Sequence, residues 1–159
     1  MGKELPSPEE AFKILKEAGC SIDVIKHCEA VARLAVQIAE KCLSNGVAVN
    51  VQLVHIGAIL HDIGRSKTHK VHHAIVGAEM ARSLGLPEEV VSIIERHVGG
   101  GITSDEAIKL GWPNKNYVPE TIEEKIVSYA DKLIEGSKIV PLEETIKRFK
   151  KELGADHPS

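Results

Sequence analysis

The sequence is short of aromatic residues. Phe, Trp and Tyr make up 3% of its 159 residues, as one Trp, two Tyr and two Phe. Little material is left for the stacking platforms that bind single-stranded nucleic acid, and the core falls to Leu, Ile, Val and Ala. Cysteine is scarce too: Cys20, Cys28 and Cys42 are odd in number and form no C-x-x-C pair. This argues against a disulfide framework or a structural thiolate zinc site, and fits a reducing cytosol. No stretch approaches the ~20 apolar residues of a membrane span, and the opening MGKELPSPEE lacks the apolar segment of a secretory signal. The expected location is therefore cytoplasmic, away from membranes. Positive charge is not in excess either. A formal net charge of −3 gives no general attraction to polyanions and argues against nucleic acid as a bulk ligand. A small anionic substrate held by a metal and a few local cations remains compatible.

What is present reads as a folded, helical chain. Hydrophobic residues make up 43% and charged residues 27%, a globular composition at a length that supports one core. Caps and breakers mark helix after helix. Ser7-Pro8-Glu9-Glu10 opens a helix over 8–18 that Gly19 closes. A long amphipathic segment runs from about Ile22 to Leu43. Asn50 caps VQLVHIGAILHD, which is expected to stop at Gly64. A loop, RSKTHK, leads to a helix from about His72 to Leu84, ended by Gly85. Pro87 starts the next, through VVSIIERH to the glycines at 99–101. Ser104-Asp105-Glu106 opens a short helix closed by Gly111, and Thr121 caps one reaching Glu135. Pro141 begins a last helix over 141–153. No segment sustains period-2 alternation, so the expected class is all-α. The expected organisation is one compact helical bundle over 1–159, its core about 22–135 and the first and last helices added to it.

Several polar residues occupy positions that belong to apolar stripes. In the second helix His27 lies at helical spacing from Val31, Leu34 and Ile38. Val54 and Ala58 precede His61 in the third, with Asp62 beside it. Val90 and Ile94 align with His97, and Val127 and Ile134 flank Asp131. One such histidine is ordinarily a satisfied core group. An ionised carboxylate on an apolar stripe costs several kcal/mol unless it is paired, capped or metal-bound; Lys125 and Lys132 are near in sequence but are expected to face solvent. Separate helices each presenting one His or Asp inward suggest a shared metal centre of the kind bundles build from facing helices. Imidazole and carboxylate without thiolate suit Fe, Mn, Co, Ni or Zn and do not choose among them.

With His27, then His61-Asp62 inside L-H-D-I-G-R, then Asp131 inside Y-A-D-K-L, the chain resembles the HD superfamily of metal-dependent phosphohydrolases over roughly Ile22 to Glu135. His73-Ala-Ile-Val-Gly77 and His97-Val-Gly are similar to elements of its two-metal members, among them the bacterial HD-type diadenosine tetraphosphate hydrolases. The resemblance implies that His27, His61, Asp62 and Asp131 hold one divalent ion and that His73 and His97 hold a second, with Asp62 bridging. His72 is the alternative to His73, which the H-x-x-x-G spacing favours. The chain departs from the HD-GYP phosphodiesterases, since Val98 stands where they carry a second His and the GYP element is missing.

The implied activity is hydrolysis of a phosphoester or phosphoanhydride in a nucleotide-like small molecule. One or two divalent ions (Fe, Mn, Co, Ni, Zn or Mg) are the expected cofactors, and metal-activated water is the nucleophile. Asp62 and Arg65 are the candidate catalytic residues. Arg65 and Lys67 are candidate phosphate contacts, and His69 and Lys70 share their loop. His55 reads as supporting or structural, His157 as an incidental tail residue, and the thiols as core filler. Trp112 and Tyr117 either cover a substrate base or pack on the bundle. The alternatives are a non-catalytic metal- or nucleotide-binding regulatory module and a di-iron oxygenase-type enzyme. The oligomeric state is open, a homodimer included.

Overall fold

The computed structural model describes residues 4–70, 72–98, 103–112, 115 and 117–135. The expected helix over 141–153, the glycines at 99–101 and His157 lie outside them. Among the described residues the chain is helical, as its patterning requires: α1 (Pro8–Ala18), α2 (Ile22–Ser44), α3 (Val51–Leu60), a 3₁₀ turn (Ile63–Ser66), α4 (His73–Ser83), α5 (Glu88–Glu95), α6 (Ser104–Leu110) and α7 (Ile122–Glu135). The capping chemistry explains most boundaries. Ser7 and Glu10 form a capping box and Gly19 closes α1 in the left-handed conformation. Asn50 Oδ1 accepts from Leu53 N at the start of α3, and Thr121 Oγ1 accepts from Glu124 N at the start of α7.

Two boundaries differ from expectation. The third helix ends at Leu60, not at Gly64. His61 and Asp62 sit past its end, where the backbone tightens into the 3₁₀ turn that contains Gly64. The fifth helix, expected to run through His97, ends at Glu95, whereas the short helix begins at Ser104 as expected, capped by Thr103 in a capping box with Glu106.

The core is organised around α3. Val54, Ile56, Gly57, Ala58, Ile59 and Leu60 are all buried, so the second half of the helix is enclosed on every side, as its continuous apolar run from Ile56 to Leu60 requires, while Gln52 in the first turn is exposed. It packs against α1, α2, α5 and α7, while α4 packs against α5 and the 3₁₀ turn. Ala11 and Leu15 of α1 belong to the same core. An enclosed helix delivers whatever follows it into the interior, and here that is His61-Asp62. No helix among the described residues is long and apolar enough to cross a membrane.

Candidate metal centre

The inward-facing polar residues meet at one place. His27 comes from the first turns of α2, His61 and Asp62 from the end of α3, His73 from the first residue of α4, His97 from just beyond α5, and Asp131 from α7. His61 is 0% exposed, Asp62 2%, His73 5%, His97 1% and Asp131 7%. The His27 side chain is 19% exposed and forms the open edge. Two ligand-type groupings result, His27-His61-Asp62-Asp131 and Asp62-His73-His97, with Asp62 in both.

The two Asp62 oxygens face different partners. Oδ2 lies 3.5 Å from His27 Nε2 and 3.6 Å from His61 Nε2. Oδ1 lies 3.2 Å from His73 Nε2 and 3.2 Å from His97 Nε2. On the Oδ2 side, Asp131 Oδ1 stands 2.8 Å from His27 Nε2 and 3.2 Å from His61 Nε2.

Backbone carbonyls fix which nitrogen of three imidazoles points inward. A carbonyl can only accept, so Nδ1 is the protonated atom wherever it meets one. His61 Nδ1–H donates to Ala58 O at 2.6 Å, His97 Nδ1–H to Ile94 O at 2.6 Å, and His73 Nδ1–H to Lys70 O at 2.8 Å. Their Nε2 atoms are left for the centre, the arrangement by which outer hydrogen bonds orient metal-ligating histidines.

The Oδ1 side fits a cation on its own chemistry. His73 Nε2 and His97 Nε2 are 3.0 Å apart, and in the neutral form each presents a lone pair to the other. Asp62 Oδ1 is a buried atom with no hydrogen-bond partner. Two lone pairs and an unsatisfied carboxylate oxygen at one point form a donor set for a divalent ion. With no thiolate among them, the groups suit Fe, Mn, Co, Ni or Zn.

The electrostatics of the Oδ2 side are those of compensated charge. Burial pushes the His61 imidazole down, but Asp62 and Asp131 outweigh it and raise the group to about 9. Burial alone would raise the Asp62 carboxyl, yet the adjacent His61 charge holds it well below the usual carboxylate range. Asp131 is likewise held low against burial by the hydrogen bonds of His27 and His61. His97 is pushed down, chiefly by burial.

Arg65 Nε lies 3.1 Å from Asp62 Oδ2, so its guanidinium rests on the edge of the centre. Lys67 stands apart from the cluster. It lines a groove of about 500 Å³ between α1 and α4 with Ile14, Glu17, Val76, Met80 and Leu84, and none of the six clustered residues lines that groove. His72 and His73 face different ways. Trp112 Nε1 donates to His72 Nδ1 at 2.6 Å, and exposed His72 turns to it while His73 turns inward. Trp112 packs edge-to-face on Tyr117, and with Ala107 they form a small second core. His55 lines a different surface hollow with Phe12, Glu29 and Arg33.

Some supporting residues escaped the sequence reading. Ser128 Oγ donates to His97 O at 3.3 Å. Arg96 Nη1 reaches both oxygens of Glu124, at 2.9 and 3.2 Å, and so ties the end of α5 to α7. Glu95 is 6% exposed and meets Lys115 Nζ at 2.9 Å. Glu95 lies four residues after Val91 and Glu124 three before Val127, so the stripe criterion that exposed Asp131 also marks these two.

The HD domain family model matches residues 24–136, a range that holds all six clustered residues. The chain is 51% identical over 151 residues to the uncharacterized protein MJ0778 of Methanocaldococcus jannaschii, covering 95% of this chain and 89% of that protein. It is 44% identical over 149 residues to the tRNA (cytidine(56)-2'-O)-methyltransferase of Thermoplasma volcanium, covering 94% of this chain but 43% of that protein. The chain therefore spans less than half the length of that methyltransferase. Among solved structures, the HD domain of the L. monocytogenes phosphodiesterase PgpH, in complex with cyclic-di-AMP, superposes with a TM-score of 0.60 at 22% identity, covering 92% of this chain and 84% of that one. That likeness is one of fold.

Proposed function

The chain belongs to the HD domain family, and on that premise we propose that it is a metal-dependent phosphohydrolase acting on a phosphoester or phosphoanhydride of a nucleotide-like small molecule. The observation that carries the reading is the division of Asp62 between two groupings, Oδ2 towards His27 and His61 and Oδ1 towards His73 and His97. In the proposed roles His27, His61, Asp131 and Asp62 hold one divalent ion, and Asp62, His73 and His97 hold a second.

Ions held there supply a nucleophile at neutral pH and stabilise the phosphoryl oxygens as charge develops. The residues do the rest. Asp62, fixed by burial and by Arg65 on one oxygen, keeps the two groupings in register. His61, His73 and His97 are locked in one tautomer by their carbonyl partners, so no reorganisation is needed when substrate arrives. Arg65 sits at the edge, where its planar guanidinium suits a phosphate through paired hydrogen bonds. The half-buried His27 marks the side from which substrate approaches. Lys67 is retained as a phosphate contact only for a substrate long enough to reach from Arg65 into the α1–α4 groove.

The test is metal-dependent release of phosphate or nucleotide from a panel of mono-, di- and cyclic nucleotides and dinucleoside polyphosphates, each assayed with Mn, Co, Ni, Fe, Zn and Mg. Activity that needs metal and disappears in folded Asp62→Ala is the expected result; undiminished activity in that variant would sink the reading. A second reading, a phosphate or phosphodiester of RNA as substrate, is favoured by the methyltransferase relative, whose name gives it a tRNA substrate. RNA oligonucleotides in the same panel separate the two. Full metal occupancy without turnover of any substrate would favour the regulatory module. Oxygen consumption with iron alone would favour oxidative chemistry.

A further inference from the structure

The two groupings share Asp62 but are carried by different helices, so something must set α4 at the correct distance from the end of α3. The backbone shows what does. A Cβ built on Gly64 would lie 1.9 Å from His73 O and 2.8 Å from Gly77 N. The 3₁₀ turn after Asp62 therefore lies directly on the first turn of α4, at the residue that supplies the second grouping. Gly77 is one turn further along α4, and a Cβ there would meet Gly64 N at 3.1 Å and Ile94 Cγ2 at 2.9 Å. The start of α4, from His73 to Gly77, is thus held without side chains between against the turn that follows Asp62, and at Gly77 it lies against Ile94, the residue three before His97.

We propose that Gly64 and Gly77 are positioning residues for the second ion: their backbone contact sets His73 and His97 at their distance from Asp62 Oδ1. The inference rests on the two-ion reading above and adds the device that makes the second grouping a separate, separately breakable unit. A methyl at 77 has to push α4 off the turn, off Ile94, or both. Each shift moves His73 or His97 by tenths of an ångström to an ångström, whereas His27, His61 and Asp131 sit on α2, the end of α3 and α7 and stay in place. Small misplacements matter here because outer supports of ligand histidines typically contribute about 10- to 100-fold in metal affinity.

Gly64→Ala meets backbone on two sides and tests folding as much as positioning, so Gly77→Ala is the informative variant. Gly57→Ala is its control. A Cβ on Gly57 would also crowd α5, at 2.5 Å from Ile93 Cδ1, but every atom it meets belongs to the Ile93 side chain. Metal-stripped full-length protein is titrated with Mn²⁺ by calorimetry and by electron paramagnetic resonance, which separates isolated from spin-coupled ions, and folding is checked by circular dichroism. The expected result is two ions in the wild type, with the second weakened by about 10- to 100-fold in Gly77→Ala and the coupled signal lost, while the first ion is unchanged. Gly57→Ala lowers the melting temperature and keeps both ions. Two ions of unaltered affinity in folded Gly77→Ala would overturn the inference and leave the two-ion reading intact. Equal loss of the second ion in Gly57→Ala would overturn it as well, since general loosening would then suffice. A wild type that takes one ion would overturn both.

Discussion

The two sides of Asp62 are built from the same residue types and differ in charge balance. On the Oδ2 side, two imidazoles face two carboxylates, and His27 and His61 both reach Asp131. On the Oδ1 side, two imidazoles share a single carboxylate oxygen, which has no hydrogen-bond donor. The first side satisfies itself through His–Asp pairs and adds a cation to an already compensated cluster. The second leaves lone pairs and a carboxylate oxygen directed at one another, a costly arrangement in a buried setting unless a cation lies between. The supports differ as well. The first side hangs on long, well-packed α2 and α7; the second depends on the glycine contact between the 3₁₀ turn and α4. The first side nevertheless offers four donor groups with two carboxylates against three with one, on the firmer helices, so its ion is expected to bind more tightly and the second to be the one that conditions or mutation remove.

This contrast can be broken from either side. Among variants that touch one side only, the largest effect is expected from Asp131→Ala, which strips the first side of its own carboxylate and leaves the His61 imidazole opposed by Asp62 alone. Affinity for the first ion should fall by more than about 100-fold, read by calorimetry against the wild type. Retention of the first ion would show that the two sides are not distinguished by Asp131. His97→Ala should do the converse, removing the second ion and keeping the first, with kcat falling by on the order of 10²-fold if both ions serve the reaction. Unchanged kcat in a singly loaded variant would mean that one ion suffices.

Arg65→Ala comes next. Losing one charged contact to substrate phosphate is expected to lower kcat/KM by about 10-fold, chiefly through KM, with metal stoichiometry intact. A further effect is one of pH. His61, raised to about 9 by Asp62 and Asp131, carries a proton at neutral pH that the first ion must displace. Apparent affinity for that ion should rise with pH up to about 9 and flatten above it, by about tenfold per unit if one proton is released. Calorimetry in buffers of different ionisation enthalpy counts that proton; none released would mean that His61 is not a ligand.

The parts of this centre that were legible in the sequence were those marked by polarity. His27, His97 and Asp131 each interrupt an apolar stripe, and a helical period is enough to place such a residue inward. The helices themselves were legible through caps such as Ser7, Asn50 and Thr121. What the sequence did not disclose depended on contacts between segments. The early end of α3 follows from the 3₁₀ turn that Gly64 makes against α4, a contact between residues that share no periodic pattern. The H-x-x-x-G spacing favoured His73 over His72 but did not show that Trp112 holds the His72 ring outward, and Lys67 faces a groove because its turn, not its charge, directs it. That Asp62 belongs to both groupings was implied by the family resemblance; how its two oxygens divide between them is a property of one carboxylate's orientation past a helix end, which no spacing encodes.

The most direct measurement is a manganese titration of metal-stripped wild type and Asp62→Ala side by side, with folding verified in both. Two ions in the wild type, the first tighter than the second, and severe weakening of both in Asp62→Ala is the expected outcome. Two ions bound by Asp62→Ala with wild-type affinity, or a single ion in the wild type, would contradict a centre built on one shared carboxylate.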